Sequence, residues 1–290
     1  MAEPAKLGVT LAAVAAAMAL VLLLAGLRRG IGDQTTLYVD RQAPVLVGQQ
    51  GVRNFIAQPS VLSDALAGRV ASVDGVASVT RVSEGYAMFR LHGQRVLSLL
   101  VGYDPGRGGG PWDLAEGRRP ARAGEVVLDR VLASSHGLAV GSRLTYRGAT
   151  LRVVGLSRGT AGWMMALGFA TRSFVNELNR HPGTSTFLFV QPRPGTSPDA
   201  LAARIDRAVP EASAVTREKL AANDRDLFVG AFNGPLLAMV TISVVVAIIV
   251  IGLSVYSSTI ERARDYATLK AIGLAPRRLV VLAAAQAVAI

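Results

Sequence analysis

The chain has 290 residues, 51% of them hydrophobic, yet it carries a formal net charge of +11. This combination disfavours a single soluble domain and is typical of a membrane protein with a large soluble segment. The lack of cysteine excludes thiolate metal sites, cysteine nucleophiles and disulfides. A soluble segment of about 200 residues can bury enough apolar surface to fold without disulfides.

The first predicted element is a membrane-spanning helix over residues 7–27, preceded by a short cytoplasmic segment, residues 1–6. About 20 apolar residues are enough to cross a hydrocarbon core of roughly 30 Å. A cleaved signal peptide is the alternative, because the start is basic and rich in alanine. We favour a retained span, since the run is longer than a signal-peptide core and Arg28-Arg29 is a poor cleavage flank.

Residues 28–226 are predicted to form an extracytoplasmic α+β domain that contains an internal repeat. Asp64–Val70 recurs as Asp199–Ile205 with few changes, and the repeat halves cover about 59–84 and 186–217. Each half reads as a helix followed by a strand, and a chance match of alanine-rich sequence is the alternative. Two such units can pair as a split βαβ core, with both helices on one face of a sheet.

Helix starts are predicted at Ser60, after Pro59, and at Ser197, before Pro198. Serine at the N-cap accepts from free amides, and proline at the first helical position presets φ. Apolar residues then recur at helical spacing, which predicts a buried face on each helix. These residues are Leu62, Leu66, Val70 and Val73 in the first half, and Leu201, Ile205 and Val209 in the second.

Between the halves, residues 85–185 are predicted to form a β-rich inserted subdomain. It contains two hairpins, 86–91 with 95–103 and 143–146 with 150–154, and a strand, 125–128, followed by a short helix, 129–136. We interpret its acidic residues and the neighbouring Glu84 as surface or capping groups; the others are Glu116, Glu125 and Asp129.

An uncharged loop within the insert is rich in large apolar side chains: Trp163, Met164, Met165 and Phe169. The favoured interpretation is that they fill the core of the insert, where such residues usually lie. The alternative is an exposed tip that contacts a lipidic cargo, the outer leaflet or a partner protein.

A second span is predicted at residues 235–257, within a segment that begins at residue 227. The following loop, residues 258–278, is rich in lysine and arginine and is therefore expected on the cytoplasmic side. Residues 279–290 would begin a third span that the sequence does not complete, so we expect a fragment of a longer protein. The alternative is that a partner supplies the remaining spans.

The motifs of several enzyme classes are missing from the sequence. There is no P-loop, no Gly-x-Ser-x-Gly and no His-Glu-x-x-His, and the three histidines, His92, His136 and His181, lack metal-ligand spacing. We therefore expect no intrinsic catalytic site, no cofactor and no metal. Aromatic residues do not alternate with the arginines, so no nucleic-acid partner is expected either.

The segment Ile260–Gly273 resembles the loop after the second span of FtsX-like/MacB-type ABC transporter permeases. It carries the Glu-Arg-x-Arg-Asp pattern followed by Leu-x-Ala-Ile-Gly. Phrases of the external domain also resemble the periplasmic core domain of those permeases: Gly102–Pro105, Leu114–Arg118, Gly124–Asp129, His136–Ser142 and Leu151–Gly155.

The resemblance implies a permease subunit in the bacterial inner (cytoplasmic) membrane. Its implied partners are a cytoplasmic ABC ATPase, a second copy or a related permease subunit, a periplasmic adaptor of the membrane-fusion type, and membrane lipids. The loop after the second span would contact the ATPase through six residues, Glu261, Arg262, Arg264, Asp265, Leu269 and Ile272. An ordinary solvated, lipid-anchoring loop is the alternative.

The implied function is to relay ATP-driven motion to the external domain, for export or for handling lipoprotein or lipid-type cargo. Two alternatives remain open at this point. One is a mechanotransmitting complex that regulates a cell-wall hydrolase or a sensor without transport, and the other is a plain membrane-anchored adaptor.

Overall fold

The computed structural model describes residues 3–56, 58, 60–91, 93–162 and 165–261. It divides into two compact units: residues 30–229 form one, and residues 1–29 with 230–290 form the other. Six α-helices are described: α1 (Glu3–Thr35), α2 (Ala65–Ala71), α3 (Arg130–Ser135), α4 (Arg172–Asn179), α5 (Pro198–Ala208) and α6 (Arg217–Glu261).

Twelve strands are described in the same ranges. They are β1 (Val45–Gln49), β2 (Leu62–Ser63), β3 (Val76–Leu91), β4 (Gln94–Tyr103), β5 (Leu114–Gly117), β6 (Glu125–Asp129), β7 (Arg143–Tyr146), β8 (Ala149–Ser157), β9 (Ala166–Thr171), β10 (Thr184–Ser185), β11 (Phe187–Pro192) and β12 (Ala212–Thr216). Ten of them form one sheet, in the order β12-β1-β11-β3-β4-β9-β6-β8-β5, with β7 paired to β8.

The predicted spans, residues 7–27 and 235–257, lie within α1 and α6. Across residues 3–261, apart from the gaps given above, no single helix has both the length and the apolar character needed to cross a membrane. One bent pair, Arg217–Phe232 with Leu237–Val250, meets the requirement by length and composition. The predicted third span and most of the predicted cytoplasmic loop lie outside the described residues.

The split βαβ core is present in the domain. β1 lies between β11 and β12 and is antiparallel to both, so β11-α5-β12 is a parallel pair with a strand inserted between its members. In the same way, β11 lies between β1 and β3 in the sheet, and α2 connects these two strands along the chain. Side chains of both helices pack on one face of these strands, for example Val70 and Leu201 against Val47 and Leu188. This confirms the predicted arrangement.

The helix start predicted for the second half is confirmed, and that of the first half is wrong. The Ser197 side chain accepts from the Ala200 amide at the start of α5. In the first half the N-cap is Asp64, four residues after Ser60, and the Asp64 side chain makes no capping hydrogen bond. Ser60 is buried instead, donating to the Thr186 carbonyl at 2.6 Å and accepting from the Gln49 amide at 2.9 Å.

The helix α2 is shorter than predicted because the chain before it is extended. Leu62 lies in β2, where it pairs with Ser185 of β10, and Val73 follows the end of the helix. Both residues still pack in the same core as Val70. The apolar pattern therefore predicted the burial of these residues correctly and their backbone conformation incorrectly.

The insert shares one sheet with the repeat core. β3 runs unbroken for 16 residues across the predicted boundary at 84 and 85, and it pairs with β4 from Val82↔Tyr103 to Leu91↔Gln94. The second predicted hairpin is β7 with β8, where Arg147 and Gly148 form the turn with φ of 49° and 81°. β4, β9, β6 and β8 then extend the sheet, and its inner face holds a second core with Phe89 and Leu128.

The opposite face of the sheet carries the third core. It combines strand residues such as Phe169, Phe187 and Phe189 with residues that precede β1 and follow β12, among them Tyr38 and Leu220. The ends of the chain segment that forms the domain are therefore attached to this face.

Candidate functional site

The candidate site is the junction, defined here as residues 30–56 and 217–229, through which the chain enters and leaves the domain. All of it belongs to one compact unit, residues 30–229. Helix α1 ends at Thr35, and a single 3-10 turn, Val39–Arg41, leads into β1. Helix α6 follows β12 without a linker, and the Arg217 amide donates to the Pro44 carbonyl at 2.8 Å.

Tyr38 attaches the entering chain to the sheet. Its ring lies 5.3 Å from that of Phe55 and 5.9 Å from that of Phe189, and its hydroxyl donates to the Gly109 carbonyl at 2.7 Å. Burial raises the pKa of Tyr38 well above its usual value, and the Glu84 charge adds to the shift. The hydroxyl therefore stays protonated as a donor, and an aromatic side chain of this size contributes a large buried area.

An ion-pair cluster ties α6 to the segment that follows α1. Thr36 is fully buried and donates to Asp40 Oδ2 at 2.7 Å. Arg225 of α6 donates to Thr36 Oγ1 at 3.0 Å and to Asp40 Oδ2 at 3.2 Å. The two segments also approach closely, because a Cβ at Gly32 would lie 3.7 Å from side-chain carbons of Arg225 and Val229.

Asp224 ties α6 to the loop that follows β1. Its carboxylate accepts from the Phe55 amide and from Asn54 Nδ2, each at 3.1 Å, and the side chain is fully buried. Burial raises the pKa of Asp224 to about 6, although these hydrogen bonds oppose the shift. One turn earlier, the Leu220 and Ala221 side chains pack in the same core as Phe55.

Glu84, on β3, lies near the Asp224 carboxylate. Its Oε2 atom is buried and has no hydrogen-bond partner among the described groups. Burial raises the pKa of Glu84 well above its usual value, and the charge of Asp224 adds to the shift. The interpretation of Glu84 as a surface or capping group is therefore wrong, whereas Asp129 does cap α3 by accepting from the Val131 and Leu132 amides.

The predicted apolar loop is only partly described. Phe169 is fully buried on β9 and packs edge-on against Trp112, so it lies in a core, as the favoured interpretation expects, and not at an exposed tip. Met165 is half-buried and lines a small cavity of about 40 Å³ at the junction, together with Thr35, Leu99 and Phe228. Trp163 and Met164 lie outside the described residues.

All but one of the predicted ATPase-contacting residues follow the described part of the chain. Glu261 is the last residue of α6, and Arg262, Arg264, Asp265, Leu269 and Ile272 lie outside the described residues. Their proposed role therefore stays a prediction. In the described part of the chain, no three residues of the types His, Asp or Glu lie close enough together to hold a metal ion.

The sequence reasoning did not find the residues that form the junction. Tyr38, Asn54 and Arg225 follow no motif, and their contacts join positions up to 189 residues apart in the chain. Asp224 offered a weak signal, because it lies one turn after Leu220 and Ala221 on the buried side of a helix.

The sequence profile of the MacB-like periplasmic core domain family matches residues 7–208. The chain belongs to this family. An uncharacterized ABC transporter permease of Mycobacterium tuberculosis, found in two strains, is 26% identical over 291 residues, which cover 98% of this chain and 78% of the relative. The resemblance to FtsX-like and MacB-type ABC transporter permeases is thus confirmed at the level of the family.

Two solved structures are also similar to the chain. The periplasmic region of MacB from Actinobacillus actinomycetemcomitans has a TM-score of 0.46 and 12% identity, covering 62% of this chain and 91% of that one. The extracellular domain of the noncanonic ABC-type transporter YknZ from Gram-positive bacteria has a TM-score of 0.45 and 13% identity. The match covers 59% of this chain and 98% of that one. Membership of the permease family implies a membrane location and a cytoplasmic ATPase partner.

Proposed function

We propose that the chain is the permease subunit of a MacB/FtsX-type ABC transporter and relays ATP-driven motion to its extracytoplasmic domain. A separate cytoplasmic ATPase hydrolyses ATP, and the end of α6 with the segment that follows it contacts the ATPase through Glu261, Arg262, Arg264, Asp265, Leu269 and Ile272. The complex contains a second copy or a related permease subunit. Its cargo is a lipid or lipoprotein, or a molecule for export.

The observation that carries the proposal is the direct attachment of α6 to the domain core. The helix follows β12 without a linker, bends by 48° between Phe232 and Leu237 around Pro235, and reaches Glu261 at the start of the predicted ATPase contact. Asp224 and Arg225 tie its first turns to the loop after β1 and to Asp40. A displacement of these first turns moves the sheet with them, because packed cores resist compression.

The apolar surface of α6 supports its membrane location. Large side chains beyond the junction are more than 60% exposed, including Leu237, Ile242, Ile248 and Leu253. Exposed patches of this kind mark membrane or protein contact surfaces. The charge pattern of the following loop supports a cytoplasmic position for its end.

The ATPase contact is tested by charge reversal in the predicted contact segment. We expect Arg262→Glu and Arg264→Glu each to abolish co-purification of the chain with its ATPase, because a favourable charge contact becomes repulsive. The matched control is Arg207→Glu, an exposed residue of α5 in the external domain, which should leave co-purification unchanged.

The same experiment includes a check on topology. The chain has no native cysteine, so Ala203→Cys on the exposed side of α5 can be labelled in intact cells by an impermeant reagent. Labelling that is unaffected by the charge reversals shows that insertion is intact. Unchanged co-purification of both reversal variants would refute the proposed contact, and labelling only after lysis would refute the external position of the domain.

A further inference from the structure

The hairpin of β3 and β4 projects beyond its neighbouring strands. β3 last pairs with β11 at Val82↔Phe187, and β4 first pairs with β9 at Ser98↔Ala166. The residues nearer the hairpin turn pair with each other, with Met88 opposite Leu97 and Arg90 opposite Arg95. The end of this hairpin is therefore a two-stranded extension of the sheet.

One face of the extension is buried and the other is open. Ala87, Phe89 and Leu91 point into the core of the insert and are nearly inaccessible. The alternate side chains of β3 point to the face that carries the junction, and there Tyr86 is 46% and Met88 50% exposed. Arg90 and Arg95 are exposed at the same face, and Leu97 is half-buried. We call Tyr86, Met88, Arg90, Arg95 and Leu97 the hairpin strip.

The hairpin strip begins next to the junction. Tyr86 lies opposite Leu99 in the β3–β4 pairing, and Leu99 lines the junction cavity with Thr35 and Phe228. The Tyr86 hydroxyl also donates to the Ile56 carbonyl in the loop that Asp224 holds. The strip therefore lies on the same face and at the same end of the domain as the two segments through which the chain enters and leaves it.

The two arginines of the strip form an unfavourable pair within the domain. Like charges directly opposite each other on neighbouring strands are destabilising. No carboxylate in the described part of the chain lies within ion-pair distance of Arg90 or Arg95, whereas Arg81 and Arg172 elsewhere in the domain each contact two aspartates. The charge of the strip therefore fits an anionic surface outside the domain.

We propose that the hairpin strip docks on the anionic phospholipid surface of the membrane in which the chain is anchored. The proposal rests on the proposed function, because the chain segments that lead to the predicted spans enter and leave the domain beside the strip. Tyr86 and Met88 then contact the boundary between headgroups and acyl chains, where amphipathic side chains are favoured. Arg90 and Arg95 contact lipid phosphates, and the like-charge repulsion is relieved.

The test uses the full chain in lipid nanodiscs, either of phosphatidylcholine alone or of phosphatidylcholine with phosphatidylglycerol. A fluorophore on Met88→Cys is exposed to lipids that carry a quencher at the headgroup, and Ala203→Cys provides the control position. Ala203 lies on α5, which packs on the opposite face of the sheet. We expect stronger quenching at position 88 than at 203, and more of it in discs that contain phosphatidylglycerol.

Charge reversal separates lipid docking from simple proximity. Each arginine near an anionic surface is worth about a fivefold change in binding, so Arg90→Glu with Arg95→Glu should lower the docked-to-free ratio more than about tenfold. Arg207→Glu, a matched reversal on α5, should change nothing. Raising the salt concentration should weaken docking of the unmodified strip, because surface charges are screened.

Quenching at position 88 that equals that at 203 in both lipid mixtures would overturn the proposal. Quenching that is insensitive to phosphatidylglycerol and to the double reversal would refute the proposal that the strip docks on anionic lipid. ATPase co-purification is scored on the same variants and should be unaffected. A chain that docks on lipid but binds no ATPase would refute the proposed function and leave the docking proposal standing.

Discussion

Asp224 provides the sharpest test of how the junction is held together. Its carboxylate is fully buried and accepts from the Phe55 amide and from Asn54 Nδ2. Asp224→Asn keeps an acceptor of the same shape without the charge, whereas Asp224→Ala leaves both donors without an acceptor. The two variants therefore separate the contribution of the hydrogen bonds from that of the charge.

The expected magnitudes follow from the pKa of Asp224. Burial raises it from 3.8 to about 6. One pKa unit corresponds to about 1.4 kcal/mol, so ionised Asp224 lowers the free energy of unfolding at pH 7 by up to about 3 kcal/mol. Asp224→Asn should recover about 1–3 kcal/mol of this. Asp224→Ala should be about 2–4 kcal/mol less stable than the asparagine variant, since it loses two hydrogen bonds and leaves buried donors unpaired.

The same shift fixes the direction of the pH dependence. The folded state binds this proton more tightly than the unfolded chain does, because its pKa is the higher one. The contribution of protonated Asp224 to the free energy of unfolding is therefore complete below about pH 4 and is lost as the pH rises to about 6. Asp224→Asn should flatten this part of the profile. Glu84 also has a raised pKa, so Glu84→Gln serves as the matched control for its share of the slope.

The assay is urea unfolding of the detergent-solubilised chain between pH 4 and pH 8. Fluorescence of Trp112 reports on the domain, since its ring lies against Phe169 and under the Arg41 guanidinium. A Trp163→Phe background leaves Trp112 as the single tryptophan among the two in the sequence. The reasoning is refuted if Asp224→Asn is less stable than the parent at pH 7, or if its slope between pH 4 and pH 6 is unchanged.

Two further predictions concern stability, measured as the urea midpoint in the same assay. Gly117→Ala should cost about 2–4 kcal/mol, because φ is +76° and the new Cβ would lie 2.7 Å from Gly155 Cα, whereas Gly148→Ala, at φ +81° in open space, should cost about 1 kcal/mol. Equal losses of stability in the two variants would show that the positive φ alone sets the cost and that the steric clash at Gly117 adds nothing. Ser197→Ala removes an N-cap and should cost about 1 kcal/mol, and Ser60→Ala should cost about 2–3 kcal/mol because it removes two hydrogen bonds to part-buried backbone groups. A smaller loss at Ser60 than at Ser197 would contradict the bridging role of Ser60.

Local sequence signals predicted the elements whose structure depends on neighbouring residues. Ser197 and Pro198 specify a helix start through one side-chain bond and one preset dihedral, and the structure has that start. Arg147-Gly148 specifies a two-residue turn, and the flanking strands form the hairpin. The repeated Asp-Ala-Leu-Ala pattern indicated two equivalent helices, and these pack in one core on the same face of the sheet.

Contacts between distant residues decided the rest, because no local pattern records which segments will meet. Ser60 has the sequence context of an N-cap, yet its hydroxyl bonds to the Gln49 amide at the end of β1 and to the Thr186 carbonyl just before β11. The sequence predicts that Phe169 is buried, and the structure decides with which residues, because β9 is an inner strand whose Phe169 packs in the core that also holds Tyr38 and Phe189. Asp224, Arg225 and Tyr38 acquire their roles only where the first and last segments of the domain meet on one face. The sequence by itself thus determined the family, the repeat and the order of the elements, and the tertiary structure decided which side chains tie the domain to its helices.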